Sequence, residues 1–364
     1  MSPQNNKVSI SRKRKLVFAV VAVVLSLATM TGALVAAEVY SRSRFARSDG
    51  LNVEGYRGRV LGRKQSGELR VALSGGSTAF GFGILPDEAP SARLEQKLVR
   101  RRHDSGQSPV SVANLAYTSE GAFAAKFTLA DYSYLDLDVV VFHDGYNDVA
   151  GENRRIFRHE SPVFRLTGYV PLLPTVIQEK VLLLRYGSLE AAYGGAKPVF
   201  RPTIAQRTTA AALSAADQVG QSLGTQVGRL LGPSRPPVSN SVAVDEQARC
   251  AEPWRVFCQT VVDNVEYALQ RGMRVLVVGQ PIWADPTFQK RHQEQQAQMV
   301  AMVQARYGSN PAVRLVDLRD AIDLSDQTLA YDRMHLTPAG SERLASLLVD
   351  PVMAILNDLT QKGP

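Results

Sequence analysis

A serine hydroxyl attacks a carbonyl well only when a base removes its proton, so the search for chemistry begins with an exposed serine and a histidine able to reach it. Ser77 stands in Ser74-Gly75-Gly76-Ser77-Thr78-Ala79-Phe80-Gly81, directly after the apolar run at 69–73. An alternating run that stops at two glycines, with helix-compatible sequence over 86–102 beyond, predicts strand, tight turn, helix. That order puts Ser77 at the C-terminal end of a strand, where parallel sheets bind ligands. Glycines at 75 and 76 let a substrate approach the backbone closely. The stretch has neither the Gly-Lys-Ser/Thr ending of a phosphate-binding loop nor the Gly-x-Gly-x-x-Gly spacing of a dinucleotide site.

The chain has five histidines. His103 and His292 lie in charged helical stretches and His159 in a polar one, so solvated surface is the expectation for all three. His143 ends an apolar strand near the serine and either lines the site or is structural. His335 differs, because it sits in the turn-forming run 331–340 ahead of the last helix, with Asp332 three residues upstream. In a tight turn that spacing can bring a carboxylate onto Nδ1–H and leave Nε2 facing the serine. Acyl transfer also needs donors aimed at the oxyanion. Gly145-Tyr146-Asn147-Asp148 places the Asn147 amide at the same sheet edge, and Gly121 offers a backbone N–H. Structurally, Asn147 also reads as a turn residue and Gly121 as a helix start.

Taken together, Gly75-Gly76-Ser77, Gly121, Gly145-x-Asn147-Asp148 and Asp332-x-x-His335 resemble the four blocks of the SGNH, or GDSL, hydrolases in the same chain order. The resemblance spans about 69–357 apart from an insertion. It implies a flavodoxin-like three-layer α/β/α sandwich with a five-stranded parallel sheet and a serine esterase site needing no cofactor or metal. Ser77 would be the nucleophile and a backbone oxyanion donor, Gly121 and Asn147 the other donors, His335 the base and Asp332 its orienting partner. Two departures stand out: Gly-Asp-Ser is Gly-Gly-Ser here, and the Asn-x-Gly-x-x-Gly block is replaced by Asn114-Leu115-Ala116 with Gly121 further on.

The elements that must position these residues follow from the alternation of apolar runs and helical stretches. Strands are expected at 69–73, 110–115, 139–142, 274–278 and 313–318, and helices at 86–102, 117–135, 254–270, 291–307 and 338–356. Such alternation argues for a parallel sheet covered on both faces. No metal-ligand spacing occurs. Cys250 and Cys258 either close a small disulfide loop or are separate buried thiols.

The charge is confined to the N-terminus. Residues 1–47 hold eight basic residues against Glu38 alone, +7 of the chain's +8, which leaves the rest near neutral. Basic residues flanking an apolar segment read as membrane topology signals rather than as a nucleic-acid footprint. Residues 16–37 are apolar or small throughout, and 22 helical residues span about 33 Å, enough for a bilayer core. The expectation is a basic cytoplasmic tail at 1–15, a single-pass span at 16–37, a juxtamembrane linker at 38–68 and a periplasmic or extracellular hydrolase domain at 69–360. A cleaved signal peptide is the rival, since Val35-Ala36-Ala37 suits cleavage.

Residues 151–245 break the rhythm and read as an insertion packed on the core, or as a lid or membrane-facing surface over 163–184. Acyl groups on envelope polysaccharide, and lipids, are the expected ester substrates. Sugar O-acetyl transfer at the same site, an inactive carbohydrate-binding protein tethered to the membrane, and a structural partner in an envelope assembly are the alternatives.

Overall fold

The computed structural model describes residues 11–44, 46–47, 49–173, 176–177, 180 and 250–361. Most of the expected insertion, including much of 174–184 at the end of the segment read as a lid, lies outside the described residues, as does the basic tail up to residue 10. Contacts divide the chain into two units, Met1–Arg44 with Leu172–Ser214 and Phe45–Pro171 with Ala215–Pro364.

The first unit holds helix α1, Arg12–Arg44. Its mean hydropathy reaches 2.3 and none of its most apolar window is buried, so it is long and apolar enough to cross a membrane. At 1.5 Å per residue its 33 residues extend about 50 Å, more than a hydrocarbon core. Toward its end Glu38 pairs with Arg42 and accepts the backbone N–H groups of Leu172 and Leu173.

The second unit is built on five parallel strands: β1 Leu69–Gly75, β2 Val110–Asn114, β3 Val139–His143, β4 Arg274–Gly279 and β5 Val313–Asp317. Their order is β2-β1-β3-β4-β5, so the chain moves one way from β1 to β2 and the other way from β3 onward. Helices α3 (Pro90–Asp104) and α9 (Pro338–Gln361) pack against each other as one layer. Helices α4 (Ala125–Asp131), α7 (Arg255–Gln270) and α8 (Gln289–Tyr307) form the other. Because both faces are covered, the central strands are continuous apolar runs rather than alternating ones. Val71, Leu73, Val139 and Val141 are all fully buried. This is the flavodoxin-like α/β arrangement expected.

Register fixes where the strands stop. Leu73 pairs with Asn114 and Gly75 with His143, which aligns the C-terminal ends of β2, β1 and β3 at the point where strand order reverses. Gly75 has φ +154°, and any side chain there would overlap the His143 carbonyl oxygen, so glycine is what lets the two ends close on each other.

Two expectations change. The stretch at 117–135 is not one helix: 117–121 is a loop with Ser119 at φ +61°, followed by a short 3-10 turn and α4. The linker expected over 38–68 belongs in part to the core, since Leu51, Tyr56 and Leu61 are buried. The opening of the expected insertion forms short helices α5 (Phe157–Glu160) and α6 (Pro162–Thr167), and Arg158 is almost wholly buried. Cys250 and Cys258, left open as a pair, are joined by a disulfide ahead of and within α7.

Candidate active site

Ser77 is the first residue of a four-residue helical turn, α2 (Ser77–Phe80), that follows β1 directly. The turn is held from behind by a side chain from the segment expected to be a linker. Arg57, in the polar segment read as a linker, sends its guanidinium to the carbonyls of Gly81 (3.1 Å) and Ile84 (2.5 Å) and lies 4.3 Å over the Phe80 ring. Burial pulls the Arg57 pKa down to about 10, so the group stays charged at neutral pH. From β2, the Asn114 amide donates to the carbonyls of Ala79 and Phe80, the C-terminal carbonyls that so short a helix leaves open.

His335 reaches this turn from the loop ahead of α9. Its Nε2 lies 2.7 Å from Ser77 Oγ, and its Nδ1 lies 2.6 Å from Asp332 Oδ2. A carboxylate can only accept, so Nδ1 carries the proton and the Nε2 lone pair is left for the serine hydroxyl. Burial opposes the Asp332 charge, but the His335 imidazole and the backbone N–H groups of His335 and Met334 outweigh it and hold the carboxyl below its ordinary pKa. Ser77 itself is only 8% exposed, less than its place on a turn after the strand end led one to expect.

The two expected donor residues converge on the same turn. Asn147 lies in the 3-10 turn after β3, and its Nδ2 donates to the Glu120 carbonyl at 2.8 Å. A side chain on Gly76 would overlap that Nδ2, which places the amide beside the residue preceding Ser77. One N–H of the Asn147 amide is thereby used and one is left. Gly121 is the next residue after Glu120, and neither its N–H nor that of Ser77 has an acceptor among the described residues.

The donor loops are set by buried polar groups. Asp148 Oδ2 accepts the Ala122 N–H at 3.0 Å, and its carboxyl fills the space that a side chain on Gly121 would need. Burial pushes its pKa up to about 8 and that of Asp144 up to about 7. Glu120 and Arg158 are both buried, 3.6 Å apart, and Arg158 also donates to the carbonyls of Leu115 and Ala116 while Glu120 accepts the Phe157 N–H. This pair fixes the loop that ends at Gly121.

Gln280, immediately after β4, does the same for the Asn147 turn. Its Oε1 accepts the Tyr146 N–H and its Nε2 donates to the His143 carbonyl, both at 3.0 Å. His292, expected at the surface, is instead fully buried: Nδ1 accepts the Trp283 N–H, which leaves Nε2–H to donate to Gln280. Burial drives the His143 pKa down to about 4 and that of His292 to about 3, so both are neutral. His159, also expected at the surface, is largely covered and bonded to Asp131 at 2.6 Å. Only His103 is as exposed as expected.

All five sequence candidates, Ser77, Gly121, Asn147, Asp332 and His335, therefore meet at the C-terminal ends of β1, β2 and β3 and the loop before α9. Asn114, named above only as the start of the second block, supports them, as do Arg57, Glu120, Arg158 and Gln280, which were not foreseen. Position after a strand end at the same sheet edge was the one available signal, for Gln280.

No family model and no curated protein matches the sequence. Solved structures similar to the chain include a lipolytic protein of the G-D-S-L family from Desulfitobacterium hafniense, at 12% identity, covering 77% of this chain and 98% of that one with a TM-score of 0.40. They also include the esterase EstA from Pseudoalteromonas sp., at 10% identity, 79% and 98% coverage and a TM-score of 0.42. The acetyl xylan esterase AlAXEase is similar at 12% identity, 78% and 100% coverage and a TM-score of 0.41. The chain resembles GDSL hydrolases at low identity.

Proposed function

We propose that the protein is a serine esterase that works by a Ser77–His335–Asp332 relay, tethered to a membrane by α1 with its catalytic unit outside the cytoplasm. The observation that carries this is the continuous hydrogen-bonded chain from Ser77 Oγ through His335 to Asp332. His335 Nε2 takes the Ser77 proton as Oγ attacks the ester carbonyl, and the imidazolium that forms is stabilised by the Asp332 carboxylate. The N–H groups of Ser77 and Gly121 and the spare Asn147 N–H receive the oxyanion. On collapse, His335 returns the proton to the leaving alcohol. Water, activated by the same imidazole, then releases the acyl group and restores Ser77.

The tether rests on α1 and on the four basic residues, Arg12–Lys15, ahead of its apolar run, which favour a cytoplasmic N-terminus. Acylated envelope polysaccharide or lipid is the substrate class that this location supplies. The test is turnover of p-nitrophenyl esters of increasing chain length and of acetylated sugars, with products resolved in water and with a free sugar acceptor present. Release of free acid supports hydrolysis, and acid release equal in wild type and His335→Ala refutes the relay. Movement of the acyl group onto the sugar would make the enzyme an O-acetyltransferase using the same residues.

A further inference from the structure

Two loops carry the two reacting partners. Ser77 lies on α2 after β1, and His335 lies more than 250 residues later on the turn ahead of α9. Proton transfer requires their heavy atoms at hydrogen-bond distance, and turnover is steep in that separation. Some contact must therefore hold one loop to the other.

Tyr331 makes it. Its Oη donates to the Phe82 carbonyl at 3.0 Å, and the Phe82 N–H in turn donates to the Ser77 carbonyl at 3.0 Å. On the other side, the Tyr331 N–H donates to the His335 carbonyl at 3.1 Å, within a small antiparallel bridge between Ala330 and Leu336. The Tyr331 ring runs nearly parallel to the imidazole, at 16° with centroids 5.8 Å apart, and the Phe82 ring meets the imidazole at 5.4 Å. The contacts close a ring: Ser77 to Phe82, Phe82 to Tyr331, Tyr331 to His335, and His335 Nε2 back to Ser77 Oγ. Gly83 makes room for it, because a Cβ there would lie 2.5 Å from Tyr331 Oη, and its φ of +85° suits glycine.

We propose that Tyr331 is a positioning residue that locks the His335 imidazole against Ser77 by tying the base loop to the nucleophile turn. The inference rests on the serine-esterase reading above and adds to it a residue outside the relay and the oxyanion donors. Tyr331 is 45% exposed, so its hydroxyl contributes little to burying a core and can be removed without unfolding the protein.

The test uses the full chain in detergent micelles, as wild type, Tyr331→Phe and Tyr331→Leu. Three quantities are read: the rate constant for labelling of Ser77 by a fluorophosphonate, kcat and KM on p-nitrophenyl acetate, and the thermal midpoint. Losing one hydrogen bond that holds a reacting distance lowers both kcat and the labelling rate, by about tenfold in Tyr331→Phe, with a larger fall in Tyr331→Leu, where the ring contact also goes. KM and the midpoint stay near wild type. Equal labelling and kcat in wild type and Tyr331→Phe overturn the inference. A rise in KM alone also overturns it, since the ring then serves substrate binding rather than the base. A wild type that neither labels nor turns over ester overturns the esterase reading itself, which separates the two failures.

Discussion

Replacing Asn147 by alanine tests the oxyanion site with a defined magnitude. The Asn147 Nδ2 holds the Glu120 carbonyl at 2.8 Å with one N–H and has a second free beside the Ser77 turn. The ground state therefore loses one ordinary hydrogen bond, worth about 1 kcal/mol of stability, which lowers the thermal midpoint by a few degrees. The transition state loses a charge-directed donor, and removal of one such donor costs about 10²–10³ in kcat, or roughly 2.7–4 kcal/mol. The two effects are separable because stability enters through the folded fraction and catalysis through turnover of the folded enzyme. Asn147→Asp serves as the isosteric control: it keeps the volume, replaces the donor by an acceptor and should fall at least as far. The assay is steady-state turnover of a short p-nitrophenyl ester, corrected for folded protein by circular dichroism. A folded Asn147→Ala enzyme with kcat within about threefold of wild type would refute the assignment.

Other consequences follow from the buried groups. Burial already raises the Glu120 pKa, and Arg158→Met removes the cation that opposes this, leaving a buried carboxyl without its partner; chemical denaturation should show a loss of about 3–5 kcal/mol, and the variant Glu120→Gln/Arg158→Met should recover part of it. The folded-state pKa values of Asp148 (about 8) and Asp144 (about 7) lie above their unfolded values. The unfolded chain thus releases these protons first, and stability should fall as pH rises from about 4 through about 8. His143 and His292 are depressed to about 4 and 3, so their contribution is present above the ordinary histidine pKa and is lost as pH drops toward those values. Thermal midpoints measured across pH should peak between these limbs, and Asp148→Asn should flatten only the alkaline one. Cys258→Ser opens the loop closed between residues eight apart and should cost about 2–3 kcal/mol in oxidising buffer, with no difference from wild type under reducing conditions.

The sheet was legible because its central strands are buried on both faces and so appear as mostly apolar runs between turn residues. The site was legible where turn chemistry and reactive side chains coincide, as at Gly75-Gly76-Ser77 and Asp332-x-x-His335. What escaped was polar burial. The helix over Gln289–Tyr307 looks solvated because it is rich in Gln, Lys and Arg, yet His292, Gln295 and Gln296 are fully buried facing the Gly145 turn. Hydropathy cannot separate an amide in water from one satisfied by a backbone turn. Arg57 and Arg158 were hidden for the same reason: each is a charged residue in a polar stretch whose partners are carbonyls or a carboxylate far away in sequence. The expected helix over 117–135 failed at its start because 117–120 forms a tight turn ahead of Gly121, with Ser119 in a left-handed conformation that composition does not signal.

The central claim is that Ser77 is the nucleophile activated by His335, and the most direct measurement is the site of covalent phosphonylation. Full-length protein is treated with a fluorophosphonate, digested and mapped by mass spectrometry. A single adduct on Ser77 is expected, abolished in Ser77→Ala and strongly slowed in His335→Ala, with ester turnover lost in parallel. An adduct on another residue, or undiminished turnover in folded Ser77→Ala, would contradict it.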